Sequence, residues 1–162
     1  MPNWGYSITK EELDPEKTAK ASGRELRVSH KSAREVCKTI KGMMLTQAKD
    51  YLKEVVAKRK AVPFRRFRKK AGHRHGLEKA FAGKYPVKVA KQVLKILEGA
   101  EANAEYKGLD TDRLRIIHAS SSQGMKLKRF TPRAHGTGSP KYNTLCHIEI
   151  AVEEKPETGE AA

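Results

Sequence analysis

Residues 114–152 read LRIIHASSSQGMKLKRFTPRAHGTGSPKYNTLCHIEIAV, and this stretch sets the architecture. Its two ends are strand-like. Leu114 to Ser120 centres on Ile116 and Ile117. Thr144 to Val152 alternates, with Cys146, Ile148, Ile150 and Val152 on one face and His147 and Glu149 on the other. Between them, Ser121 to Asn143 holds Gly124, Pro132, Gly136, Gly138 and Pro140 and no apolar face. Ordinary hairpin turns take about two to five residues, and connections beyond about 12–15 are functional or disordered. The reading is therefore a hairpin whose two arms, at about 3.3 Å per residue, project on the order of 35 Å. Such an arm has no core of its own and needs an anionic bed.

Upstream, the pattern is helical. Glu25-Leu26-Arg27-Val28 alternates as a short half-buried strand, and Ser29 is expected to cap the helix that follows. That helix places Ala33, Val36, Cys37, Ile40 and Met44 on one face, with Gly42 as a break near its end. Thr46 is expected to cap a second amphipathic helix carrying Ala48, Leu52, Val55 and Val56. Pro86 opens a third, whose stripe is Val89, Ala90, Val93, Leu94, Leu97 and Ala100 and which reaches about Ala104. The expected division is an N-terminal arm over 1–24 and a body over 25–119 with a basic insertion at about 61–85. The extended hairpin over 120–143, a final body strand over 144–152 and an acidic disordered tail over 153–162 complete it.

Charge is segregated along this frame. Lys58 to Lys91 holds thirteen Lys or Arg and one acid, Glu78, while Arg113 to His147 holds seven and none. Together they exceed the net charge of +15 of the whole chain, so the remainder is slightly acidic. A local potential of this kind selects phosphate backbones. Within the insertion, Arg65, Arg66, Arg68, Lys69, Lys70 and Arg74 form the densest cluster. With little apolar surface to offset ordering entropy, that segment is expected to stay mobile until a partner holds it. Aromatic content of 6% argues against rows of Phe and Tyr stacking on single strands.

Enzyme chemistry finds little support. There is no GxxxxGK phosphate cradle, no paired catalytic carboxylates and no activated nucleophile. Cys37 and Cys146 lack zinc-site spacing and read as small buried hydrophobes in a reducing compartment. His73 and His75 flank Arg74 in an HxH pattern without nearby carboxylates, so no metal is expected. Pairing them with His118 or His135 would suggest a basic ribonuclease, which requires a convergence in space that a sequence does not show and an activating partner that is not evident. No stretch has membrane-span length, and Met1 to Lys10 is polar without a signal-peptide core, so a cytoplasmic location is expected.

The run Leu127-Lys128-Arg129-Phe130-Thr131-Pro132-Arg133-Ala134-His135-Gly136 resembles the projecting-loop signature of a large-subunit ribosomal protein family, numbered twenty-two in the bacterial count and seventeen in the eukaryotic one. Ser32-Ala33-Arg34-Glu35-Val36 and Ile40-Lys41-Gly42 are similar to the family's first helix, and Gln47-Ala48 through Leu52 to its second. Ala100-Glu101-Ala102-Asn103-Ala104-Glu105 is similar to the end of its third helix, and the strand through Ile148 and Ile150 to its last. The resemblance spans roughly residues 12 to 154 in order. The long insertion resembles archaeal and eukaryotic members. After His135 the chain has Gly136-Thr137-Gly138-Ser139-Pro140-Lys141 where bacterial members are denser in arginine.

The resemblance implies an α+β fold, three helices packed on a small three-stranded antiparallel sheet with a long protruding β-hairpin. It implies a structural protein that binds large-subunit ribosomal RNA, touches neighbouring ribosomal proteins, aids subunit assembly and lines the peptide exit tunnel with its hairpin. The tip would stand where a nascent chain passes. No cofactor, membrane or second copy of the chain is expected. On the hairpin, Lys126, Lys128, Arg129 and Arg133 would supply charges for phosphate, with Phe130 wedged against a base or ribose and His135 and Lys141 beside them. The competing reading is a free nucleic-acid-binding regulator or chromosome-coating protein using the same basic stretches on duplex DNA. Against it, the cations lie between elements rather than on a recognition helix.

Overall fold

A computed structural model describes residues 5–8, 13–77 and 80–155. The α+β architecture is as expected. Strand β1 (Thr18–Leu26) leads into helices α1 (His30–Ile40) and α2 (Leu45–Val56). The insertion holds two short strands, β2 (Val62–Pro63) and β3 (Gly83–Lys84), before helix α3 (Val87–Tyr106). The last third is β4 (Leu114–Leu127), β5 (Phe130–Pro132), β6 (Gly138–Pro140) and β7 (Asn143–Glu154). The main sheet is antiparallel with order β1-β7-β4, so the last strand is the central one.

The helices form where bulky apolar residues recur. Ala33, Val36, Cys37 and Ile40 of α1, Leu45, Ala48, Leu52 and Val55 of α2, and Val89, Ala90, Val93, Ile96, Leu97, Ala100 and Ala104 of α3 are all buried. They pack on Cys146, Ile148, Ile150 and Val152 of β7 and on Leu114 and Ile116 of β4 to make one core. Lys49 of α2 and Glu101 of α3 pair across the two helices. The turn between α1 and α2 passes through Gly42 at φ 91°, a conformation glycine adopts without a Cβ penalty. It is stitched to β4 by Gly42 N–H to Ile116 O at 2.8 Å and Ile116 N–H to Met43 O at 2.9 Å.

Several local expectations give way. The first strand begins at Thr18, inside the expected arm, because its inward residues are small. Ala19 is buried, Ala21 is partly buried, and a Cβ on Gly23 would stand 2.7 Å from Ile96 Cδ1 of α3. The strand is shaped to let a helix approach, so it lacks the bulky alternation that marks a strand in sequence. Ser29 does occupy the N-cap of α1, but its side chain makes no capping hydrogen bond. The second cap is Met44, and Thr46 lies within the first turn. Met44 is therefore not on the buried stripe of α1, and Ile96 replaces the half-buried Leu94 on that of α3.

The largest departure is β7. His147 and Glu149, on the face opposite Cys146, Ile148, Ile150 and Val152, are themselves only 1% and 6% exposed. The N-terminal segment at residues 5–8 reaches this second face. Ser7 donates to Glu149 Oε2 from its backbone N–H at 2.8 Å and its hydroxyl at 2.9 Å. Arg24 Nη1 meets Glu149 Oε1 at 3.4 Å, and the Lys20 and Arg24 cations lie 5.7 and 5.8 Å from the Tyr6 ring centre. His147 Nδ1 accepts the backbone N–H of Glu25 at 3.0 Å, where β1 bulges and Glu25 has φ 49°. Of the expected arm, residues 1–4 and 9–12 lie outside the described residues, as do 156–162 of the expected tail.

Candidate nucleic-acid interface

Two scaffolds present the basic side chains. The first is the insertion, which is tied to the body rather than loose. Ala61, Val62, Phe64 and Ala82 are buried, and Phe67 and Ala71 pack against the core. Backbone bonds from Phe64 N–H to Ala82 O at 2.9 Å, Arg74 N–H to Phe81 O at 3.1 Å and Gly83 N–H to Gly72 O at 3.1 Å knit its strands. A few apolar anchors suffice because these backbone groups pair with one another.

A buried carboxylate completes the anchoring. Glu35 of α1 is 1% exposed. Its Oε2 accepts the backbone N–H of Arg65 at 3.1 Å, and its Oε1 those of Arg66 at 3.1 Å and Phe67 at 3.2 Å. Arg34 Nη1 lies 3.4 Å from the same Oε1. A buried charge is tolerated when hydrogen bonds replace its water, and charge-assisted ones are the stronger kind. The Arg65 and Arg66 amides turn inward to Glu35, and the side chains of Arg65, Arg66, Arg68, Lys69, Lys70 and Arg74 all stand exposed. Arg74 packs over Tyr85 at 5.4 Å from the ring centre, and Lys84 over Phe64 at 5.5 Å. Lys31, Arg34 and Arg66 gather around Phe67 at 5.8, 6.0 and 5.8 Å from its centre.

The second scaffold is the hairpin, which pairs with itself further than the sequence suggests. The β4–β7 ladder continues to Leu127 opposite Asn143, and β5–β6 pairing resumes at Phe130 opposite Pro140 and runs to Pro132 opposite Gly138. Lys141 N–H to Arg129 O at 2.6 Å bridges the gap. At the tip, Arg133 N–H donates to Thr137 O at 2.7 Å, and His135 takes φ 56° ahead of Gly136 at φ 69°. The arm is thus a two-stranded ribbon, with backbone order supplied by the ladder and no apolar core. Lys126, Lys128, Arg129, Arg133, His135 and Lys141 are all exposed on it, and Phe130 is 70% exposed. Arg133 Nε donates to Ser139 Oγ at 3.2 Å, fixing one guanidinium.

All thirteen residues expected to meet nucleic acid are exposed, and among the described residues none of their cationic side chains forms an ion pair with a carboxylate. The reading missed Lys31, Arg34 and Lys84, which belong to the same basic surface. Lys31 and Arg34 are one turn apart on α1, a signal visible once Glu35 is known to face the insertion. A groove of about 830 Å³ adjoins Lys31 between the starts of α1 and α3, lined also by Arg27 and Lys88 and by Asn143 at the hairpin base.

The histidines do not form a catalytic pair. His73 rests on Phe81 at 5.2 Å between ring centres, His118 Nε2 lies 3.0 Å from Ser7 Oγ on the sheet, and His135 sits at the hairpin tip. Among the described residues no three His, Cys, Asp or Glu side chains cluster as metal ligands. Burial pushes the thiol of Cys37 up to about 12 and that of Cys146 to about 11, the opposite of an activated nucleophile. Among the described residues no helix is long and apolar enough to cross a membrane.

Comparison with known proteins agrees with this geometry. A family model described as ribosomal protein L22p/L17e matches residues 21–153. The "Large ribosomal subunit protein uL22" of Methanocaldococcus jannaschii is 52% identical over 145 residues, covering 90% of this chain and 93% of the relative. That of Methanopyrus kandleri is 50% identical over 154 residues, covering 94% and 97%. That of Archaeoglobus fulgidus is 46% identical over 153 residues, covering 94% and 99%. Matched by that family model over residues 21–153 and about half identical to these relatives over nearly their whole length, the chain belongs to the ribosomal protein L22p/L17e family.

Proposed function

We infer that this chain is a structural, non-catalytic constituent of the large ribosomal subunit in the cytoplasm, associated there with ribosomal RNA and neighbouring ribosomal proteins. The observation that carries this is the ribbon beyond Lys126: self-paired, acid-free and exposed on both arms. A ribbon of that kind is ordered enough to have a shape and charged enough to require a polyanion. Recognition is of phosphates, 2′-hydroxyls and junction shape, which structured RNA presents more readily than base edges.

The finer assignments follow from the same reading. The hairpin over 120–143 runs between RNA segments and forms tunnel wall, with its tip at His135 facing the nascent chain. Lys126, Lys128, Arg129 and Arg133 take phosphates there, Phe130 wedges against a base or ribose, and His135 and Lys141 lie alongside. Arg65, Arg66, Arg68, Lys69, Lys70 and Arg74 clamp RNA at the insertion. The body over 25–119 and 144–152 is the platform for both, between an arm over 1–24, of which residues 18–24 join the sheet, and a tail over 153–162, of which Glu153 and Glu154 end β7.

The test is sedimentation of lysate through a gradient at rising salt, with the wild-type chain and an Arg129→Ala/Arg133→Ala variant. The wild type should stay with the large subunit at high salt, while the variant should slow subunit assembly without changing the fold of the free protein. A wild-type chain stripped at modest salt would favour the free nucleic-acid binder. Unchanged assembly in the variant would remove the hairpin assignment.

A further inference from the structure

We propose that Lys31, Arg34 and Arg66, gathered around Phe67 and held there by Glu35, form a preassembled binding site for an RNA phosphodiester. The proposal rests on the RNA-binding reading above and names a site on the body, away from the hairpin. Its basis is an imbalance of charge with a fixed geometry. Three cations stand within 6.0 Å of one ring centre. Like charges drawn this close repel, and the face of an aromatic ring offsets only part of that. The nearest carboxylate, Glu35, is buried, accepts three backbone amides and meets Arg34 Nη1 at 3.4 Å, so it offsets one of the three charges and leaves two. The site therefore keeps excess positive charge on the protein side and has an open outer side, since Lys31 and Arg66 are exposed.

The chemistry of the ligand follows from what each group can still do. Three successive amides facing one carboxylate are an anion-binding concavity, and Glu35 already fills it. An incoming anion thus meets side chains, not the nest: two guanidinium forks and one ammonium. Planar forks match phosphate oxygens in pairs, and the ammonium adds a point charge. Lys31 also lines the groove between the starts of α1 and α3, giving a backbone that passes Phe67 a continuous path toward the hairpin base. Glu35 is a positioning residue. Its three amide bonds fix the turn at 65–67, and that turn decides whether the Arg66 guanidinium stands beside Arg34 or swings free.

The experiment measures binding of the full chain to transcribed large-subunit ribosomal RNA across a salt series. A phosphate contact contributes a slope of roughly 0.7–0.9 in log affinity against log salt. Lys31→Gln/Arg34→Gln should flatten the slope by about two contacts' worth, whereas the distant surface pair Lys53→Gln/Lys95→Gln should leave it unchanged. Glu35→Gln should flatten it by about one, and its effect should not add to that of Arg66→Gln, because both remove the same guanidinium from the site. A wild-type slope retained in the Lys31/Arg34 variant would overturn the site while leaving the functional reading intact. Full additivity of Glu35→Gln with Arg66→Gln, with a lowered melting temperature and an unchanged slope, would reduce Glu35 to a purely structural group. A wild-type chain without salt-dependent hold on this RNA would overturn the site and the functional reading together.

Discussion

Replacing Gly124 by alanine probes how tightly the hairpin base is built. A Cβ there would stand 2.8 Å from His147 Nε2 and 3.0 Å from its Cε1. Ordinary carbon contacts begin at about 3.5 Å, so the ring would have to retreat by roughly 0.7 Å. It has nowhere to go cheaply. His147 is 1% exposed, and its Nδ1 holds the Glu25 N–H at 3.0 Å. Retreat would stretch that bond, while staying would push β4 away from β7. Overpacking of this kind costs about 1–3 kcal/mol. At this size each kcal/mol moves the midpoint by about 2–4 °C, so thermal unfolding should fall by about 2–12 °C. Circular dichroism melts of the full chain read this directly, with Gly72→Ala as control because nothing lies within 4 Å of its Cβ position. In a His147→Ala background the ring is gone and the same change should cost little, a coupling of about 0.5–3 kcal/mol. A midpoint at the wild-type value, or costs that simply add, would refute the close approach of ring and strand.

Two further outcomes rest on titrating groups. Because burial pushes Cys37 up to about 12 and Cys146 to about 11, both thiols should resist alkylation at pH 8 in the folded protein and react on unfolding. A fast native phase in a maleimide or disulfide-exchange assay would contradict the packing around them. Burial, and then the adjacent Lys31 charge, hold His30 below its ordinary value of 6.5, and Gln123 Nε2 lies 3.0 Å from its Nε2. A group held down in this way binds more protons unfolded than folded. Its contribution is full above pH 6.5 and is lost as pH falls through the folded value. His30→Gln should therefore flatten the dependence of stability on pH below 6.5 in denaturant titrations, and an unchanged slope would count against it.

What could be read in advance was what depends on bulk and spacing. The three helices declare themselves through Val36, Ile40, Leu52, Val93 and Leu97, because a helical stripe of large apolar residues has few other uses. The end strands of the hairpin declare themselves through Ile116, Ile148 and Ile150 in the same way. The first strand did not, since Ala19, Ala21 and Gly23 are selected for smallness under α3 and smallness has no period. Nor did the second buried face of β7. Glu149 and His147 look like solvent-facing residues until Ser7, Arg24 and the Glu25 amide, all more than a hundred residues away, arrive to satisfy them. The exposed cations of the interface were legible as charge. Their organisation around Glu35 was not, because one acid on a helix carries no mark of facing three amides some thirty residues onward.

The sheet order has a consequence for how the chain is made. Strand β7 sits between β1 and β4, and neither of those has another partner in the main sheet. Synthesis delivers α1, α2 and α3 well before Asn143–Glu154 exists, so until then the helices have only one another and the unpaired β1 and β4 to rest on. The final strand must thread between two waiting edges, closing Thr18 against Glu153 at one side and Leu114 against Glu154 at the other. Contacts this distant along the chain form slowly, and open edges are where chains stick to one another. The newborn protein is therefore most vulnerable to aggregation just before its last dozen structured residues emerge.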